Sequence, residues 1–341
     1  MRWLQNSTAA RPSVSTTGPA ERSSSSLALL QAACQAVPAL AGRLVLVMDP
    51  RQLYTLDEAV VAKLKDHRPV LIHQLDGFVD AGQAGRLFSA NLLENLEHEV
   101  LAEFDHDQLH DYRSRRPAMI FDTNQWKSYA DLHLRIYRVK DGHGEVFLLF
   151  SGPEPDVQWE RLAAAVVGLI EQLGVRMTVG VHGIPMAVPH TRPITLTAHA
   201  TDASLVKGYR SWIDRVEVPA SFTGLLEFRL GQLDRKAMGF AAHVPHYLAQ
   251  ASFPEATLTL TRSLNQATGL AVPIEPLEKA SASNLADIAE EMATSTEVQE
   301  LVATLEQQYD ALQAEQPDRV PSAEEIAAEF ERFLAEREKD D

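Results

Sequence analysis

Three arginines, Arg113, Arg115 and Arg116, fall within four residues of one another in the segment D-Y-R-S-R-R-P that begins at Asp111. A guanidinium is a planar, permanently charged fork of donors that matches carboxylate or phosphate. The cluster therefore either receives an anionic ligand or forms structural ion pairs, with acids such as Asp111 and Asp122 or across a subunit interface. Asp76 and Asp80 stand four apart across a glycine-containing turn. Two such acids can act as a general acid–base pair or hold a hard cation. The simpler reading is that Asp80 caps the following helix while Asp76 stabilises the turn. Glu154 and Asp156 precede another helix start, where negative charge meets the positive end of the helix. Among the histidines, His182 follows a strand directly and is the catalytic candidate. His243 and His246 flank Val244-Pro245, where ring nitrogens can fix a turn. Gly77, Gly152 and Gly183 also follow strands, so with Glu154 and the three arginines they form the candidate ligand-binding set.

Several motifs are absent from the sequence. It has no G-x-x-x-x-G-K-[ST] loop, no G-x-G-x-x-G fingerprint and no G-x-S-x-G elbow. Ser151-Gly152 follows a strand but lacks the first glycine of the last motif. No H-E-x-x-H or Cys/His zinc spacing occurs, so no metal and no cofactor are expected.

These residues need elements to position them. Residues 69–75, P-V-L-I-H-Q-L, read as a buried parallel strand. A helix over 81–96 follows, with Ala84, Leu87, Phe88, Leu92 and Leu96 at helical spacing. Further strands are predicted over 100–104, 118–121, 132–139, 145–150, 177–181, 194–198 and 239–244. Helices are predicted over 157–173, after Ser221 and over 254–268, with Gly174, Gly231 and Gly269 as stops. Repeated strand–turn–helix units imply an α/β fold with a largely parallel sheet covered on both faces. Ligands in such sheets sit beyond the carboxyl ends of the strands. Segments 76–82, 151–156 and 182–193 should therefore converge on one edge.

Length and charge set the outer bounds. A chain of 341 residues with 45% hydrophobic residues can bury a sizeable core without disulfides. Its single cysteine, Cys34, points to a reducing, cytoplasmic setting. No apolar run approaches the roughly 18 residues of a membrane helix. The net charge of −16 resides mostly in residues 275–341, where 19 acids face 5 bases. No basic patch suggests nucleic acid. Three regions are expected: 1–43, rich in Ser, Thr, Ala and Pro and read as a disordered extension; a core domain over 44–275; and an acidic helical region over 276–341. Met48 is an alternative start. In the last region Thr294 with Glu297, and Ser322 with Glu325, have capping-box spacing.

The arginine segment, with D-G-F-V-D-A-G from Asp76, S-G-P-E-P-D from Ser151, V-H-G-I-P from Val181 and H-V-P-H-Y-L from His243, resembles the actinobacterial branch of the proteasome assembly chaperone 2 family. That family also carries an ATP-grasp label, which no glycine-rich loop here supports. The resemblance covers about residues 53–309. It implies an α/β core similar to the phosphorylase and nucleoside-phosphorylase architecture, and a homo-oligomer, with a trimer favoured. Two function classes follow. One is a non-enzymatic, chaperone-like protein that binds other proteins. The other is a phosphorylase-like enzyme or small-molecule binder with an anion site. Archaeal relatives dock through a C-terminal hydrophobic–tyrosine–any tripeptide, and Glu338-Lys339-Asp340-Asp341 lacks it.

Overall fold

The apolar run at residues 70–75 becomes a central strand because both its faces are covered. The computed structural model describes residues 48–314 apart from Phe78, Ser211, Ile213 and Asp214. The N-terminal extension and the predicted Ser322 helix start lie outside the described residues. In chain order the elements are β1 (Tyr54–Leu56), α1 (Glu58–Ala62), β2 (Val70–Asp76), α2 (Ala84–Asn95), β3 (His98–Phe104), β4 (Met119–Asp122), β5 (Gln125–Tyr129) and β6 (Arg135–Lys140). They continue with β7 (Val146–Pro153), α3 (Trp159–Gln172), β8 (Met177–Met186), β9 (Leu196–Ala200), α4 (Phe222–Gln232), β10 (Ala237–Pro245), α5 (Pro254–Thr268), α6 (Glu275–Met292) and α7 (Thr296–Ala314).

Eight strands form one mixed sheet in the order β1-β3-β6-β7-β2-β8-β10-β9. The expected α/β fold is present, with its parallel part in the middle: β7, β2, β8 and β10 run parallel. The flanking pairs are antiparallel. The tight turn between β6 and β7, closed by Asp141 and Glu145, is too short for a parallel crossover. Alternation along each strand splits the core in two. On one face Leu71 and Leu75 pack with Leu162, Val166, Phe222 and Leu226 of α3 and α4. On the other, Val70 and Ile72 join Phe88, Leu92, Leu260 and Leu264 of α2 and α5. The C-terminal helices also contribute buried side chains, namely Leu277, Ile288, Val302, Leu305 and Tyr309. Tyr309 donates to the Pro193 carbonyl at 2.9 Å, and Arg192 pairs with Glu306 and Asp310.

Several boundaries differ from the sequence reading. Strand β7 runs on to Pro153 and β8 to Met186, so Gly152, His182 and Gly183 lie inside strands rather than after them. Two helix starts differ as well. The helix predicted from residue 81 begins at Ala84, because Gly82 (φ 68°) and Gln83 (φ 53°) turn left-handed before it. This turn is pinned from outside: the Gly82 N–H donates to Ala249 O, and Phe253 N–H to Gly82 O. A Cβ at Gly82 would also stand 2.9 Å from Phe253 Cβ. The Thr294–Glu297 box does not form either. Thr294 Oγ1 donates to the Glu291 carbonyl and so closes α6, and Ser295 Oγ accepts from Val298 N at the start of α7.

Asp80 holds the carboxyl edge of the sheet together. Its Oδ1 accepts from Gly85 N at 2.8 Å and from Gly183 N at 3.1 Å, and its Oδ2 accepts from Arg86 N at 3.0 Å. Replacing Asp80 with Ala leaves three backbone donors unpaired. It should lower stability by roughly 3 kcal/mol, read from the midpoint of denaturant unfolding. A loss below about 1 kcal/mol would show that these donors find other partners.

Candidate functional site

A row of four residues crosses the sheet at one level. Strand register sets His73 of β2 beside Gly180 of β8, Gly180 beside Gly239 of β10, and Gly239 beside His199 of β9. Glycine in a strand interior weakens the strand and marks a close approach by another group. Here the approaching groups are the imidazoles. A Cβ at Gly180 would lie 2.7 Å from His73 Cε1, and one at Gly239 would lie 2.3 Å from His199 Cε1. His182 stands two residues beyond Gly180 and therefore shares its face. Above this bed opens a cleft of about 520 Å³, lined also by Glu227 and Ser221 of the α4 region and by Glu154 and Gly77. Much of the remaining lining is apolar, including Leu75, Val79, Ile184, Met186, Val216 and Val218.

His199 Nδ1 lies 2.9 Å from Glu227 Oε1. His73 is only 2% exposed, and neither of its ring nitrogens has a hydrogen-bond partner among the described residues. Burial pushes its imidazole down to about 4. His182 is also pushed to about 4, first by burial and then by the neighbouring His199 and His73 rings. Both rings are therefore neutral near pH 7. Among the described residues the cleft lining includes two carboxylates and neither lysine nor arginine. No cluster of three or more metal-ligating side chains with suitable geometry occurs among the described residues.

The residues singled out from the sequence divide between this cleft and its supports. His182, Gly77 and Glu154 line it. Glu154 Oε1 accepts from Phe222 N at 2.6 Å and so caps α4, while Oε2 covers Gly77 at a distance that leaves no room for a Cβ. Asp76 accepts from Gln74 Nε2 and Arg86 Nε, and Asp80 holds the backbone as described above. At Gly183 a Cβ would stand 2.1 Å from Ala81 O, and at Gly152 (φ 142°) 2.2 Å from His133 O. Both glycines thus admit another stretch of backbone. The three arginines do not converge. Arg115 pairs with Asp156 at 2.8 Å and donates to the carbonyls of Glu154 and Asp76. Arg113 and Arg116 are exposed and form no ion pair among the described residues. Asp156 further accepts from Asp111 N and lies 3.1 Å from His110 Nδ1. His243 has both nitrogens satisfied, by Thr195 and Thr197. The sequence reading missed His73, His199, Glu227 and the two floor glycines. The available signal was glycine inside strand patterns, in V-G-V-H-G and M-G-F.

Two outcomes follow. Arg115→Ala should lower the stability of the unliganded protein by roughly 1–2 kcal/mol, whereas Arg113→Ala and Arg116→Ala should leave the melting temperature unchanged. Equal losses at all three would contradict the geometry. The second concerns acid. His73, His182 and His243 sit near 4 in the fold, against 6.5 for a free histidine. The unfolded chain therefore takes up protons first. Stability is fully present above pH 6.5 and is lost as pH falls toward 4. Melting curves across this range should show that fall, and His73→Gln should flatten it; an equally steep fall in the variant would remove His73 from the account.

The comparisons agree with this architecture. A protein of unknown function from Mycobacterium tuberculosis is 43% identical, with 76% of this chain and 91% of that chain covered at a TM-score of 0.73. A second, from Corynebacterium glutamicum, is 37% identical over 76% of this chain and 97% of that one, at a TM-score of 0.72. A Mycobacterium tuberculosis proteasome-assembly chaperone homologue shares the fold at 24% identity, covering 68% and 99% of the two chains with a TM-score of 0.63. No curated protein matches the sequence. The PAC2 family model matches residues 74–293, which include the floor glycines, His182 and His199, the Asp80 anchor and the Arg115–Asp156 pair. The chain belongs to the PAC2 family.

Proposed function

We propose that this protein acts in the cytoplasm as a chaperone-like, non-enzymatic interaction protein, and that it assembles with copies of itself, as a trimer. The observation that carries the reading is the β4–β5 hairpin. Every residue of both strands is exposed. Yet Met119, Ile120, Phe121, Trp126 and Tyr129 give it an apolar surface, with Ile120 60% and Trp126 64% exposed. An isolated two-stranded hairpin is marginal in water, and contiguous exposed apolar surface marks a protein contact. The hairpin is rooted where residues 110–116 are tied to Asp156, so it projects from a fixed base. Family membership, and a neighbour that is itself a proteasome-assembly chaperone homologue, support a role built on protein contacts.

The phosphorylase-like reading with an anion site has less support. Arg115 is engaged by Asp156, and among the described residues the cleft lining contains no lysine or arginine to receive an anion. Among the described residues no helix is long and apolar enough to cross a membrane.

Ile120→Asp combined with Trp126→Asp should convert a trimer into a monomer in light scattering at micromolar concentration. Because the hairpin forms its own small sheet, the eight-stranded core should keep its far-ultraviolet circular dichroism. A wild-type protein that is monomeric, or a double variant that stays assembled, would defeat the proposal.

A further inference from the structure

We propose that the cleft over the histidine bed binds a small primary amine in its ammonium form, one with an apolar body, and that Glu227 is its counterion. This site is independent of the hairpin.

The charge of the lining decides the class of ligand. Among the described residues Glu154 and Glu227 are its acids, and lysine and arginine are absent. Burial keeps His73 and His182 uncharged near neutral pH. His199 is the other titratable group among the described lining residues. With that ring protonated, two carboxylates against one cation leave a net charge of −1; with it neutral, the net is −2. In either state the lining repels an anion and attracts a cation.

The two acids differ in what they have left to offer. Glu154 is committed: Oε1 accepts from Phe222 N, and Oε2 lies over Gly77. Glu227 is engaged on one oxygen. Its Oε1 faces His199 Nδ1, whereas nothing among the described residues donates to Oε2. Nor does Oε2 belong to the solvent-sealed side-chain atoms that lack a partner there. The Glu227 side chain lines the cleft and keeps 15% of its surface exposed. A carboxylate so largely removed from water, among apolar walls, gains from a second donor that carries positive charge.

The form of the cation follows from the same groups. A guanidinium fork engages both oxygens of a carboxylate, and His199 already occupies Oε1. A quaternary ammonium donates no hydrogen bond and is held by aromatic cages; the described lining has no Phe, Tyr or Trp. A primary ammonium is a compact charge with rotatable donors, and one donor suffices for Oε2. Leu75, Val79, Ile184, Met186 and Val218 suit an apolar body, and the cleft of about 520 Å³ has the size of a small-molecule pocket.

Four probes that share one body and differ in the head test this: 2-naphthylmethylamine, its N,N,N-trimethyl derivative, 2-naphthylmethanol and 2-naphthoate. Each is titrated into the full chain at neutral pH and low salt, with calorimetric readout. The amine should bind saturably and at least about tenfold tighter than each of the other three. Glu227→Gln keeps the shape of the side chain and an oxygen for His199 but removes the charge. It should weaken the amine at least about tenfold and leave the alcohol unchanged. Val218→Trp places bulk at a position that lines the cleft and is 67% exposed. It should abolish amine binding while the melting temperature holds. The inference is overturned if any of the other three heads binds as tightly as the amine, or if the amine gives no saturable heat up to its solubility limit. It is equally overturned if Glu227→Gln or Val218→Trp binds the amine like the wild type.

Discussion

The Asp80 carboxylate is the constraint on which the functional edge of this protein depends. Three backbone N–H groups from two elements converge on it. Burial raises its proton affinity, and those three donors oppose the rise by favouring the charged form. The bond to Gly183 fixes the far half of β8 against the start of α2. That geometry is reached only because residue 183 lacks a side chain and Gly82 accepts a left-handed turn. His182 is the neighbour of Gly183, and Gly180 lies on the same strand. The histidine bed therefore inherits its position from an acid that does not touch it.

A second anchor joins the two surfaces with functional character. Asp156 ties down Arg115, His110 and the Asp111 amide at the root of the hairpin. Two residues earlier, Glu154 receives Arg115 through its carbonyl, caps α4 with its carboxylate and lines the cleft. The segment 154–156 thus braces an exposed apolar hairpin on one side and a concave site on the other. Each arginine and acid here matters less for its charge than for the backbone it fixes, in keeping with the modest worth of partly exposed ion pairs.

Much of this architecture was legible in the sequence. The apolar run at residues 70–75, the helix over Pro254–Thr268 and the helix opened by Ser221 behave as their patterns require. The inner sheet is parallel because strand–helix–strand units leave few other ways to close a core. What stayed hidden depends on residues distant in sequence. The short strand β1 is held by pairing with β3, not by its own three residues. The hairpin strand β5, Q-W-K-S-Y, has no buried face to announce it. The cleft was half visible: His182, Gly77 and Glu154 were in view, whereas His73 and His199 become neighbours only through the order β2-β8-β10-β9. The three arginines are adjacent in sequence, but among the described residues Arg115 alone of them pairs with a carboxylate.

The glycine floor has a consequence for how this cleft changes across related chains. Residues 180 and 73 compete for one volume, as do residues 239 and 199. A methyl group gained at either glycine expels the ring above it, and a ring lost leaves the bare backbone beneath a hollow. The two members of each pair should therefore be exchanged together or not at all. A chain that keeps both glycines and both imidazoles has retained the recess, and one that has traded a pair has closed it, whatever its overall similarity.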